Sequence, residues 1–166
     1  MKSRILKITA GTILTLTGVL TIAFGITAQE KSGRLAGGGS RLVGTWDARV
    51  AITNCQTGAE IRSFKSIGTF MFGGTMLDST SGMPQQMKTP GHGVWSHTEG
   101  NTYKFSFKSF SFDPPSVFTG WTIIRHEATL DSKGDAYTST GTAEFYDASG
   151  NLTGTGCSST TAVRFE

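Results

Sequence analysis

The chain has 166 residues, of which 37% are hydrophobic and 16% charged, with 22 Gly, 11 Phe and two Cys. This composition excludes a disulfide-dense miniprotein and a charge-rich disordered chain, and the length fits one domain of ordinary size. The formal net charge of +3 comes from Lys2, Arg4 and Lys7, because removing residues 1–28 leaves twelve basic and twelve acidic residues. The net charge therefore does not indicate a nucleic-acid partner or an anionic membrane surface.

The first 28 residues have the pattern of an export signal. A basic start precedes an uncharged run over residues 8–29, which includes Ile26-Thr27-Ala28. We expect cleavage after Ala28, with residues 29–40 as a flexible leader and residues 41–166 as the folded domain. The alternative is an uncleaved membrane anchor, since about 18 or more apolar residues can span a bilayer. Cleavage predicts an exported protein, periplasmic or secreted, that has no membrane contact afterwards.

From Leu42 onward the apolar residues recur with a period of two, which is typical of β-strands. Turn residues divide this region into eight segments, predicted at about 42–54, 62–72, 75–80, 92–97, 102–112, 117–130, 135–147 and 151–165. Short connections favour an antiparallel meander, and closure of eight strands removes both exposed edges. The sequence therefore predicts an all-β domain, a single eight-stranded antiparallel up-and-down barrel with little or no helix.

Two residue pairs support closure of this barrel. An oxidising compartment allows Cys55 and Cys157 to form a disulfide. Trp46 and Arg164 can pack as a cation on an aromatic ring. Antiparallel partners keep a constant sum of residue numbers along a ladder, and these two pairs give nearly the same sum. We therefore expect the last strand to pair with the first, with small residues on its inner face, namely Gly154, Gly156, Ser158, Thr160 and Ala162.

The ends of the predicted barrel carry a family resemblance. Gly44-Thr45-Trp46 in the first strand, together with Arg164 at the end of the last, resembles the lipocalins and their wider calycin relatives. The resemblance implies that Trp46 lies at the closed end of the barrel, that Arg164 packs across it, and that the protein carries or sequesters a small apolar molecule. Segments 90–95 and 153–157 are also similar to uncharacterised exported bacterial proteins.

Aromatic residues on the inner face are the candidates for ligand contact. An eight-stranded barrel is just wide enough to be filled by side chains or to hold one small ligand. The predicted ligand-binding residues are Phe64, Phe70, His92, Trp95, Tyr103, Phe105 and Phe107, within a wider interior that adds Val50, Phe72, Phe118 and Phe145. The long segment 81–91 is interpreted as a lid at the open end or, alternatively, as a disordered surface loop.

The fifth segment contains a change of phase. Tyr103, Phe105 and Phe107 share one parity, whereas Phe110 and Phe112 have the other. This change predicts a bulge or bend near Ser109.

No catalytic, metal or cofactor site is predicted. His92, His97 and His126 lack metal-ligand spacing, the acidic residues are scattered, and no catalytic motif is present. We expect a monomeric or weakly associating barrel that binds a small apolar or amphipathic molecule. Two alternatives remain open, a structural or interaction module with a filled core and a small-barrel isomerase or cyclase with one proton donor.

Overall fold

The structure is a computed structural model that describes residues 41–166. The predicted export signal, 1–28, and the leader, 29–40, lie outside the described residues. The strands are β1 (Gly44–Thr53), β2 (Glu60–Phe70), β3 (Thr75–Thr80), β4 (Gly91–Glu99), β5 (Thr102–Asp113), β6 (Val117–Leu130), β7 (Ala136–Asp147) and β8 (Leu152–Arg164). A single 3-10 turn, Gln85–Met87, is the only helical element in residues 41–166, and no helix of this region is long and apolar enough to cross a bilayer.

The eight strands form a closed antiparallel barrel in chain order, which confirms the predicted fold class. β1 pairs with β8 in one unbroken register, from Trp46 opposite Arg164 to Thr53 opposite Cys157. Just beyond the end of β1, Cys55 is joined to Cys157 with a Cα–Cα distance of 5.2 Å. The predicted disulfide is therefore present and fastens the seam at which the sheet closes.

One end of the barrel is filled by large apolar side chains. The Trp46 and Tyr137 rings meet edge to face at 5.1 Å, and the Phe70 ring meets the Tyr137 ring at 6.2 Å. Edge-to-face contact is a preferred arrangement of aromatic rings, and each buried ring removes a large apolar area from water. The buried cluster consists of Leu42, Trp46, Ala48, Phe70, Met76, Trp95, Tyr103, Phe105, Ala128, Leu130, Tyr137 and Ala162. We call this end the closed end.

Arg164 seals the closed end from outside. Its guanidinium lies 4.3 Å from the centre of the Trp46 ring and donates hydrogen bonds to the carbonyls of Arg41, Val43 and Gly134. The indole nitrogen of Trp46 donates to the Leu42 carbonyl at 2.9 Å. Because every buried polar group here has a partner, the charged side chain can lie over the apolar core at little cost.

Two sequence-based expectations about the interior are wrong, those for Phe72 and Phe118. Phe72 lies in the β2–β3 turn and is 68% exposed, because β2 ends at Phe70 rather than at residue 72. The predicted irregularity of β5 is present two residues beyond Ser109, between Ser111 and Phe112, so Phe110 still points outward with the other even-numbered residues of β5. Phe118 also lies on the outer wall, where its ring contacts that of Phe110 at 5.9 Å.

Candidate functional site

The end of the barrel opposite Trp46 is the open end, where β1, β3, β5 and β7 finish. Phe145 on β7 points inward with Tyr137, Ser139 and Ala143, yet it is 42% exposed. An inward side chain that remains exposed indicates that water reaches the inner wall at this end.

Three phenylalanines line the open end, and glycines make room for the rings of Phe64 and Phe107. The Phe107 ring occupies the space that a side chain at Gly91 would fill. The Phe64 ring lies 2.9 Å from the position of a Cβ on Gly82, and the Phe145 ring lies 3.6 Å from that position on Gly156. The small inner residues of β8 are therefore covered in part by Phe145, and the space that they leave is narrower than the sequence indicates.

Polar groups lie among these rings on the inner wall. The Ser66 hydroxyl donates to the Asp78 carboxylate at 2.6 Å, and Lys88 Nζ lies 3.9 Å from the other carboxylate oxygen. The Asp78 and Lys88 side chains expose only 13% and 14% of their surface. Burial raises the pKa of the Asp78 carboxyl, which the Ser66 hydrogen bond and the charge of Lys88 only partly offset, and burial also lowers the pKa of Lys88. The pair is thus a weakly held ion pair inside the wall.

Across the barrel, His126 of β6 forms a second polar group on the inner face. Its Nδ1 and Nε2 each lie 2.8 Å from a serine hydroxyl, those of Ser139 and Ser158, and its ring stacks on Phe105 at 5.3 Å. Burial lowers the pKa of His126 from 6.5 to about 4. The imidazole is therefore neutral at pH 7, where the two serines can satisfy both of its nitrogens.

The segment that follows β3 closes one side of the open end. After the 3-10 turn, Lys88 pairs with Ser111 in an isolated bridge. Thr89 donates its amide to the Phe110 carbonyl at 3.0 Å, and its hydroxyl accepts from the Phe110 amide at 3.0 Å. The second half of segment 81–91 is therefore hydrogen-bonded to β5 and is not a freely hinged lid.

The structure brings six of the seven predicted ligand-binding residues to the inner wall. Phe70, Trp95, Tyr103 and Phe105 belong to the buried cluster towards the closed end, whereas Phe64 and Phe107 line the open end. His92 instead lies exposed on the outer face of β4, because Trp95 and the two glycines beside His92 have the inward parity.

Asp78, Lys88, Ser109 and His126 were not among the predicted site residues. The signal that could have found Asp78, Ser109 and His126 is a polar residue in step with the apolar face of its strand: Asp78 follows Met76 at an interval of two, and Ser109 follows Phe107. No such signal exists for Lys88, which lies in a connecting segment.

The outer wall carries two open hollows and an aromatic cluster. Hollows of about 410 Å³ and about 480 Å³ lie outside β4–β6 and around the β1–β8 seam, among charged side chains such as Lys104, Arg125 and Asp47. The outer aromatic cluster consists of Phe110, Phe112, Phe118, Trp121 and Tyr146, with Lys108 Nζ placed 4.1 Å from the centre of the Trp121 ring.

A scan against protein-family models finds no match to this chain, and a search of curated proteins finds none either. Among solved structures, the chain is similar to the one titled "Crystal Structure of Rv2717c from M. tuberculosis", with 11% identity and a TM-score of 0.38 over 76% of this chain and 94% of the other. At this score the likeness supports no conclusion about function.

Proposed function

We propose that this protein is an exported, lipocalin-type barrel that binds one small apolar or amphipathic molecule through its open end. The observation that supports the proposal is Phe145, an inward-facing ring that remains 42% exposed at the mouth of a barrel whose other end is sealed. An aromatic wall with a few placed polar groups is typical of small-molecule sites. The Cys55–Cys157 disulfide supports export, since such bonds persist in oxidising compartments.

Binding of N-phenyl-1-naphthylamine, a neutral apolar probe whose fluorescence rises in apolar surroundings, tests this proposal. We expect the folded protein to bind it, and we expect Phe145→Asp to weaken binding by about tenfold or more, because a carboxylate would have to be desolvated at the mouth. Phe110→Asp is the matched control, since it places the same charge on the outer wall. Native mass spectrometry of protein from its own host would reveal a retained ligand. Absence of probe binding and of a retained mass would contradict the proposal.

A second candidate is an interaction module that works through the outer aromatic cluster. Phe110 and Phe118 are 45% and 41% exposed on the outer wall, and contiguous exposed apolar surface is a common mark of association sites. This candidate predicts self-association that Phe110→Asp abolishes and Phe145→Asp leaves intact, measured by sedimentation velocity. The same two variants therefore separate the two candidates.

A further inference from the structure

Ser109 has no structural explanation in this barrel. Its side chain is 1% exposed, and its hydroxyl is the only buried side-chain polar atom in residues 41–166 without a hydrogen-bond partner. A buried hydroxyl that makes no hydrogen bond lowers stability, and alanine would fit the same position without that cost. Ser109 faces inward two residues after Phe107, so its unpaired hydroxyl is buried within the inner wall of β5 on the side of the open end.

Lys88 adds unused hydrogen-bond donors at the same place. Lys88 lies opposite Ser111, so Ser109 takes the diagonal position on the same inner face, at a separation that a long side chain can span. The ammonium group carries three donors, but its contacts are the Thr89 carbonyl at 3.4 Å and the Asp78 carboxylate at 3.9 Å, which is too long for a hydrogen bond.

The site has more hydrogen-bond donors than acceptors, whereas its positive and negative charges balance. Asp78 carries the negative charge that compensates Lys88, and it is itself held by Ser66. A ligand carboxylate would be repelled by Asp78 at short range in a poorly solvated wall. A neutral carbonyl oxygen accepts two hydrogen bonds and adds no charge, so it matches the donors of Lys88 and Ser109.

We propose that Lys88 Nζ and Ser109 Oγ form a polar anchor that donates hydrogen bonds to the neutral carbonyl oxygen of an otherwise apolar ligand. This inference rests on the proposed function and narrows its ligand class to neutral ketones, esters and similar carbonyl compounds. Phe107 lies beside the anchor over Gly91, whose partner in β3 is Asp78, so the apolar body of the ligand extends along the phenylalanines of the mouth. Asp78 acts as a positioning residue that holds the ammonium group of Lys88.

Three naphthalenes of the same shape test the anchor in the full-length protein: 2-acetylnaphthalene, 2-ethylnaphthalene and 2-naphthoate. We expect the ketone to bind about tenfold more tightly than the hydrocarbon, as measured by equilibrium dialysis, because a hydrogen bond from a charged donor has that effect. Binding of naphthoate should be weaker than that of the ketone. The carbonyl stretching frequency of the bound ketone should shift downward from its value in hexane.

Ser109→Ala is the decisive variant, because it should fold at least as well as the parent protein. We expect it to lower ketone affinity several-fold, to leave 2-ethylnaphthalene affinity unchanged, and to maintain or raise the melting temperature. Lys88→Met should remove the remaining preference for the ketone. Ser106→Ala, on the outer face of the same strand, is the matched control and should change none of these quantities.

Three other outcomes would contradict a proposal, and each would overturn a different part of it. Equal affinity for the ketone and the hydrocarbon, unchanged by Ser109→Ala, would overturn the anchor and leave the binding barrel in place. Tightest binding of naphthoate would overturn the assignment of a neutral carbonyl. Failure of all three naphthalenes to bind, together with failure of N-phenyl-1-naphthylamine, would overturn both proposals.

Discussion

At the level of single residues, the structure explains why glycine is the first residue of the Gly44-Thr45-Trp46 motif. Gly44 has φ of +133°, a conformation that side chains rarely adopt, and a Cβ at this position would stand 2.6 Å from a guanidinium nitrogen of Arg164. That guanidinium is fixed by its bonds to three carbonyls, so it cannot move aside at low cost. The glycine therefore permits the approach of the arginine that seals Trp46.

We predict that Gly44→Ala destabilises the protein by about 3 kcal/mol, through backbone strain and displacement of Arg164. Gly58→Ala is the control, because Gly58 also has positive φ, +71°, but a Cβ there meets nothing within 4 Å. The control should cost about 1 kcal/mol. Urea unfolding measures both values, and equal losses would show that the arginine contact is unimportant.

His126 gives the stability of the protein a pH dependence of defined sign. Its pKa falls from 6.5 in the unfolded chain to about 4 in the barrel, so the unfolded state binds a proton more readily. The contribution of His126 to the free energy of unfolding is fully present above pH 6.5, and it is lost as the pH falls towards 4. The exposed carboxylates of Asp131 and Asp147, whose pKa values are lowered by hydrogen bonds in their turns, act in the same direction at still lower pH.

We predict that the free energy of unfolding falls by about 3 kcal/mol between pH 7 and pH 4 because of His126, as the size of its pKa change requires. His126→Gln should remove most of this fall, whereas His92→Gln, on the outer face, should preserve it. Urea titrations of the three proteins at both pH values provide the measurement. A parallel decline in all three would assign the acid sensitivity to other groups.

At the level of elements, the strands were predictable because each has one face towards the core and one towards water. All eight appear within a few residues of their predicted bounds, since alternation and turn residues act locally. The position of the β5–β6 irregularity was predicted two residues too early, because the parity of Phe110 can indicate either a bulge or a ring that points outward. Only the partner strand, with Trp121 and Phe118 on the outer wall, decides between them.

The segment that connects β3 and β4 is hydrogen-bonded to β5, as a strand would be. We predict that Thr89→Val raises the hydrogen-exchange rate of the Phe110 amide by about tenfold, because the threonine hydroxyl accepts from that amide. Thr98→Val is the control, since the Thr98 hydroxyl donates to the Thr102 carbonyl at the other end of the barrel. Unchanged exchange at Phe110 in the Thr89 variant would indicate a loosely attached loop.

At the scale of the whole molecule, closure was predictable but the contents of the lumen were not. Register follows from pairing rules, and the β1–β8 seam obeys the constant sum that Trp46 and Arg164 indicate. Which inward side chains fill the interior depends on rotamers across the barrel, such as the placement of Phe145 over Gly154 and Gly156. The Asp78–Lys88 pair could not be predicted from spacing either. Asp78 lies in β3, whereas Lys88 lies in the segment after β3 and is placed by its bridge to Ser111 of β5.

The Cys55–Cys157 bond spans 102 residues and links the chain just after β1 to β8, beside the seam at which the sheet closes. We predict that replacing both cysteines by serine lowers the free energy of unfolding by about 4 kcal/mol, since a cross-link over so long a loop restricts the unfolded chain strongly. Urea unfolding with and without reductant provides the measurement. Reductant should affect the parent protein alone, and a loss below about 1 kcal/mol would mean that ladder pairing suffices to hold the seam.

The hydrogen bond from Arg164 to the Arg41 carbonyl, 2.8 Å long, places Arg41 and the end of β8 at the same pole of the barrel. A tag fused after Glu166 would thus leave from the sealed end. A protein immobilised through its C-terminus would have its open end directed away from the support, which makes C-terminal tethering a suitable format for capture experiments. The same proximity makes the domain a candidate for circular permutation, with new ends opened in a turn at the other pole.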